Sequence, residues 1–349
     1  MTQLAWIRKN LFATPLDAAV TLICLWALWH IIPPVLEWSL IDATWSGEGR
    51  DACTSGGACW IFVRARFGQF IYGFYPEEMR WRVDAAALLL AAAVAPLMWP
   101  GMPAKGWWAL GTFVLYPPIC LVLLVGGVFG LPVVETRLWG GLMLTTFMAV
   151  FGGLIAVPLA IALALGRQAS LPTIRIVSIT FIEFWRGVPI ITVIFLASVL
   201  LPLILPAGVT VDKLVRALVG LALVVSAYMA EVIRGGLQAV PKGQYEAASG
   251  LGLGYWQSTG MIVLPQALRM VIPGLVNEFI ALFKNTTLVL IVSLFDLLGI
   301  VHAALADPKW VGLTMEAYVF AGTIFWFACF GLSRWSAGLE KRLGLGTRH

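Results

Sequence analysis

The sequence predicts an all-α integral membrane protein, and three observations predict it. Of 349 residues, 60% are hydrophobic and only 12% carry charge, whereas a soluble domain holds about 25% charged residues. The mean hydropathy is +0.90, and apolar stretches recur that are long enough to cross about 30 Å of hydrocarbon as helices. These stretches are continuous rather than alternating. A backbone in lipid must satisfy its own hydrogen bonds, so helices follow rather than a closed barrel. The net charge of +5 is what excess Lys and Arg on cytoplasmic segments produce, and it implies no nucleic-acid partner.

About eight spans are expected, at roughly 16–35, 84–100, 107–128, 140–165, 181–205, 214–233, 271–297 and 315–335. Arg8 and Lys9 precede the first, "AAVTLICLWALWHII", which ends at Pro33 and Pro34 without a small-residue cleavage pattern. An uncleaved span is therefore expected rather than a signal peptide. The polar segment 36–83 follows, and within it "WIFVRARFGQFIYGF" is expected to lie on the membrane surface as an amphipathic helix. Cys53 and Cys59 share this segment, and whether they pair depends on the compartment they face. Cys24, Cys120 and Cys329 lie in apolar runs and read as packing residues. Short connectors then run to a long loop at 234–270.

Orientation follows from Lys and Arg near the span ends. With the N-terminus inside, the cytoplasmic segments hold Arg8, Lys9, Lys105, Arg167, Arg175, Arg234, Lys242, Arg269 and the basic residues from Arg334 on. The short outer connectors hold Arg137, Lys213, Arg216 and Lys309. Both termini and the 234–270 loop are therefore expected in the cytoplasm. Residues 1–135 carry three spans and the long outer loop, while 136–340 carry five spans and the specific motifs.

The densest motif is "YEAASGLGLGYWQSTGMIVLP" at 245–265. Glu246, Ala247, Ala248, Gly252, Ile262, Leu264 and Pro265 stand at the spacing EAA-x3-G-x9-I-x-LP. The composition describes a short helix, a glycine turn and a second helix, with Pro265 expected to change the chain's direction. The motif matches without a gap the cytoplasmic loop of bacterial ABC importer permeases, and the resemblance extends further. "YMAEVIRGGLQAVPKGQ", "FIEFWRGVPIITVIF", "GGLMLTTF" and "FIALFKNTTLVLIVSLFDLLG" resemble the polar amino-acid branch of those permeases, together covering about 136–335. "WIRKNLFATP" and "GACWIFVRARFGQF" resemble its M-type permeases of general L-amino-acid uptake. The resemblance implies a five-helix type I importer core preceded by three extra helices.

It also implies roles. The seven motif residues would dock on a separate ATPase, Glu246 meeting a basic residue there; a solvated acid in a loop is the plain alternative. Glu183 and Arg186, with Glu231 and Arg234, would be coupling or structural residues, the second pair also reading as an ordinary i, i+3 contact. Thr145, Glu278, Asn285, Thr286 and Thr287 would line a substrate pocket, because ionisable groups within a span are costly and face an interior or a cavity. Interhelical hydrogen bonding is the alternative for them. Relatives often carry aspartate at the position of Asn285, which argues against a site dedicated to basic amino acids in this half. Asp296 reads as an interfacial acid near the outer end of its span, and His30 and His302 as structural.

No G-x4-G-K-[ST] occurs, no Cys/His spacing marks a metal, and no nucleophile–base set appears. The chain is therefore expected to bind no cofactor and to be no enzyme, with ATP and Mg on the partner ATPase. The implied assembly, in a bacterial inner membrane, holds a homologous Q-type permease, two copies of the ATPase and a periplasmic amino-acid-binding protein. L-amino acid is the implied cargo, and membrane lipid the surroundings. A self-contained ion-driven transporter would show inverted repeats, and none is evident; a scaffold or channel component would leave the motif unexplained. An ABC permease limited to acidic amino acids and their amides stays open.

Overall fold

The computed structural model describes residues 3–99, 101–206 and 208–342, most of them helical. In chain order the helices are α1 (Gln3–Leu11), α2 (Pro15–Ile41), α3 (Ile61–Tyr72), α4 (Glu77–Met98), α5 (Lys105–Val125), α6 (Gly141–Arg167) and α7 (Pro172–Gly187). They continue with α8 (Ile190–Ile204), α9 (Lys213–Ala239), α10 (Lys242–Gly250), α11 (Tyr255–Val292), α12 (Leu297–Leu305) and α13 (Thr314–Arg342). Among the described residues seven helices are long and apolar enough to cross a membrane, and the bent pair α7–α8 makes eight if it counts as one span.

Three expected spans take a different form. The one expected at 181–205 is bent by 101° between α7 and α8. Pro189 lacks an N–H and its ring disfavours helical geometry at Val188, which is extended at φ −98°, ψ 132°. The one expected at 271–297 starts earlier, because α11 runs unbroken for 38 residues. Pro265 therefore does not redirect the chain. It sits in the first turn of regular α-helix after a π turn at Thr259–Val263, where the wider turn accommodates a missing N–H. The first span does not stop at its prolines either. It passes through Pro33 and Pro34 and ends in a π turn at Glu37–Ile41.

The chain divides into two compact units. The first holds the residues up to Phe67 together with Ala304–Phe320. Thr14 and Asp17 form a capping box at the start of α2, and no residue of Pro15–Leu36 is buried. Cys24, expected to pack, is for that reason exposed. Cys53 and Cys59 are bonded, with Cα atoms 5.6 Å apart. The Cys59 amide donates to the Glu316 carboxylate at 3.0 Å, and Arg66 pairs with Asp307. Phe62 is fully buried, with its ring 5.5 Å from that of Trp310. The start of α3 is thus packed into protein. Its first turn carries Ile61 and Phe62 side by side, and both are buried. Replacing Cys53 and Cys59 by serine should destabilise this segment locally by about 2 kcal/mol, as for a short closed loop. Hydrogen exchange of residues 42–60 would then rise, and unchanged protection would show that Glu316 and Arg66 suffice.

The second unit holds Gly68–Ala303 and the chain from Ala321 on. Its centre is the pair α6 and α9. Leu144, Met148, Gly152, Ala156, Ala160 and Ala164 form a buried i, i+4 row on α6, and small residues in such a row let helix backbones approach closely. Leu221, Val225, Met229 and Ile233 supply the facing row of α9. α9 meets α11 at two glycines. A Cβ on Gly236 would lie 2.6 Å from Val271 Cγ1, and one on Gly274 would lie 2.8 Å from Val232 Cγ1. At the start of α6 three backbone strands cross. Gly140 and Gly141 bridge Phe295 and Asp296 in parallel, and a Cβ on Gly73 would lie 2.4 Å from Gly140 Cα. Asp296, expected as an interfacial acid, is fully buried here, because its Oδ1 caps α12 by accepting from the Gly299 amide at 2.9 Å. Cys120 is buried, as expected for a packing residue.

Candidate functional site

The 245–265 motif forms a compact surface feature between α9 and α11. α9 ends at Val240, which is extended before Pro241, and α10 starts again at Lys242. α10 ends in a Schellman turn: the Gly252 amide donates to Ser249 O at 2.9 Å and the Leu253 amide to Ala248 O at 3.1 Å. Gly252 holds φ +74°, and the space where its Cβ would sit is open. Glycine is therefore required by the backbone rather than by crowding. Two side-chain bonds fix α10 in place. The Tyr245 hydroxyl donates to Leu237 O at 3.1 Å, and Gln266 Nε2 donates to Gln244 Oε1 at 3.1 Å.

Of the motif residues, Ala248 is fully buried against the fold, while Glu246, Ala247, Gly252 and Pro265 are exposed. Ile262 and Leu264 are half-buried on α11. Sequence reasoning missed the large apolar side chains interleaved with them. Leu251 and Trp256 are each 76% exposed, and Tyr255 and Met261 are exposed beside them. Four large apolar side chains are thus exposed within residues 251–261, with the Tyr255 and Trp256 rings 5.2 Å apart, and clustered exposed apolar surface is what marks an interaction site. The signal was present in "GLGLGYW", where bulky apolar residues alternate with glycines that cannot cover them.

Just above this loop the structure joins both charged pairs named from the sequence through a residue that was not singled out. Arg167, at the end of α6, donates from one nitrogen, Nη1, to Glu183 Oε1 at 3.0 Å and to Glu231 Oε1 at 2.6 Å. Arg234 holds the other Glu231 oxygen at 2.8 Å and donates to Gln238 at 2.8 Å. Arg186 approaches Glu183 at 3.8 Å and lies over the Tyr228 ring at 5.8 Å. Helices α6, α7 and α9 are therefore tied by one charge cluster. Glu231 is its most enclosed member, with 17% side-chain exposure. Hydrogen bonds to charged groups contribute about 1.5–3 kcal/mol each where they are shielded from water.

The polar residues on α11 are gathered only in part. Asn285 is half-buried at the end of the α-helical stretch, where a 3-10 segment from Thr286 to Val292 takes over. Thr286 is fully buried and donates to Phe283 O at 2.8 Å, while Thr287 donates to Lys284 O at 2.9 Å. Glu278 is half-buried, and Asn277 and Lys284 are exposed two turns apart on one face of the helix. Thr145 is fully buried at the strand crossing. Its hydroxyl donates to Gly141 O at 3.2 Å and accepts from the Leu297 amide at 3.0 Å. It is bonded there rather than to Asn285 or its neighbours.

Comparison with known proteins gives the family. Residues 156–344 match the family described as binding-protein-dependent transport system inner membrane component. The chain is 52% identical to the inner membrane amino-acid ABC transporter permease protein YhdY of Escherichia coli K12, over 98% of this chain and 94% of that protein. It is 36% identical to the glutamate/glutamine/aspartate/asparagine transport system permease protein BztC of Rhodobacter capsulatus, over 97% and 93%. Among solved structures, an amino acid ABC transporter crystallised with histidines superposes with a TM-score of 0.52 at 28% identity, over 58% of this chain and 92% of that one. The chain belongs to the inner membrane components of binding-protein-dependent transport systems.

Proposed function

We propose that this chain is the M-type permease of an importer of L-amino acids, and that α10 with the turn after it docks on a separate ATPase. The observation that carries the reading is the loop itself. Small Ala247 and acidic Glu246 stand exposed beside Leu251, Tyr255 and Trp256, on a helix clamped to α9 and α11 by Tyr245 and Gln266. Small residues permit close approach of a partner surface, and large aromatic side chains anchor it. The partners in this reading are a homologous Q-type permease, two ATPase copies carrying ATP and Mg, and a periplasmic amino-acid-binding protein. ATP-driven closure would press the two docking loops together and turn the cavity from inward- to outward-facing, and hydrolysis would reset it.

The Cys53–Cys59 bond supports placing 42–60 on the oxidising, periplasmic side. With one span before it, and five between it and the docking loop when the bent pair α7–α8 counts as one, the N-terminus and the docking loop then fall in the cytoplasm, in line with Arg8, Lys9, Lys341 and Arg342. For the cargo, the names of the similar permeases in Escherichia coli and Rhodobacter capsulatus support amino acids. The second of them favours the narrower reading of acidic amino acids and their amides. Asn277, Glu278, Lys284, Asn285, Thr286 and Thr287 offer donors and acceptors along α11 for an ammonium and a carboxylate.

Uptake by the reconstituted assembly tests this. It should require enclosed ATP and the loaded receptor, and it should persist when ionophores collapse ion gradients. Uptake that follows a gradient without ATP would refute the reading. Asn285→Asp should raise uptake of arginine relative to glutamine on the order of tenfold, the factor for about 1.4 kcal/mol. An unchanged ratio would remove Asn285 from the pocket.

A further inference from the structure

We propose that Arg167 is a positioning residue that carries motion between the docking loop and the break at α7–α8. This rests on the docking role of α10. The contacts form a continuous path. α10 is fastened to α9 through Tyr245 and the Leu237 carbonyl, one residue before Gln238, which accepts from Arg234. Arg234 holds one oxygen of Glu231 and Arg167 holds the other. The same Arg167 nitrogen holds Glu183, which lies four residues before the end of α7, where Val188 and Pro189 turn the chain through 101° into α8.

One cation thus joins the helix to which the docking loop is fastened to the helix that ends at the bend of a broken span. The contacts are mutually dependent, since Glu231 is shared by both arginines and Arg167 by both glutamates. An element with two discrete arrangements can pass coupling through such a chain of paired groups. Because one nitrogen serves both carboxylates, the cluster needs a positive charge at this point and not the arginine fork.

The test uses the complete assembly in lipid vesicles and reads amino acid taken up per ATP hydrolysed. Arg167→Gln and Glu183→Gln should each lower this ratio about two- to thirty-fold while the assembly stays intact. The double variant should be no worse than either single one, as for residues acting through one contact. Arg167→Lys should stay near wild type. The proposal is overturned if the ratio stays normal in both glutamine variants, if Glu183→Gln is normal where Arg167→Gln is not, or if Arg167→Lys behaves like Arg167→Gln. Should Arg167→Gln fail to assemble, Glu183→Gln carries the decision, since that side chain is 54% exposed and its loss leaves no buried charge. Gly252→Trp run in parallel separates the two readings. If it too leaves the ratio and the assembly normal, the docking role of α10 fails. If it alone is defective, only the relay fails.

Discussion

Gly252→Trp is expected to leave the chain folded in the membrane and to abolish its partnership with the ATPase. At φ +74° any L side chain adds strain of about 1–2 kcal/mol, which a helical membrane domain with its core elsewhere tolerates. Among the described residues, nothing beyond its chain neighbours lies within 4 Å of the place a Cβ would take, so the indole would project outward. Bulk added there falls on the face offered to the partner. Loss of a central interface contact costs about 2–4 kcal/mol or more, so copurified ATPase and uptake should both fall by at least about thirtyfold. Gly252→Ala carries the strain without the bulk and should keep most of both. The check is pull-down of the ATPase together with a thermal melt of the permease. Equal retention of ATPase by Trp and Ala variants would exclude this face as the contact.

Gly141→Val should act at a different level and prevent a stable fold. Gly141 has φ +64°, and its Cβ would lie 2.3 Å from the carbonyl oxygen of Phe70, a backbone atom that no rotamer change removes. A β-branched residue at positive φ is a steric outlier in its own right. Strain and overlap together are expected to cost more than about 4 kcal/mol, displacing Gly140 and Gly141 from their bridges to Phe295 and Asp296 and Thr145 from Leu297. The expected result is little folded protein recovered from membranes. Gly187→Ala is the contrast, since among the described residues nothing beyond its own helix and chain neighbours lies within 4 Å of its Cβ position, and it should be nearly neutral. Normal recovery of Gly141→Val would mean that the strand crossing is not needed for the fold.

The glycines at this crossing show what was legible in the sequence and what was not. Spans such as α6 and α9 were plain because membrane crossing is a property of local composition, which a single segment carries in full. The Schellman turn at Gly252 was equally local. The bend at Val188–Pro189 was written in the sequence as a Gly-Val-Pro step, yet the apolar run on both sides masked it. The continuity of α11 through Pro265 depended on a π turn that no composition signals. Arg167 was missed for another reason. It ends an apolar run and reads as an ordinary inner-side charge, and only the three-dimensional meeting of α6, α7 and α9 gives it two carboxylates. The exposure of Leu251 and Trp256 was likewise a matter of packing, since apolar residues in a membrane protein are ambiguous until their neighbours are known.

The central claim, that α10 and its turn are the surface on which an ATPase docks, is tested most directly by photocrosslinking in the intact assembly. A photoreactive residue would replace Ala247 or Trp256, both exposed on the loop, and Lys309, which is exposed outside it, would serve as the control. Capture of the ATPase subunit from the two loop positions and not from Lys309 is the predicted result. An assembly that hydrolyses ATP normally with loaded receptor, yet gives no ATPase adduct from Ala247 or Trp256, would contradict the account.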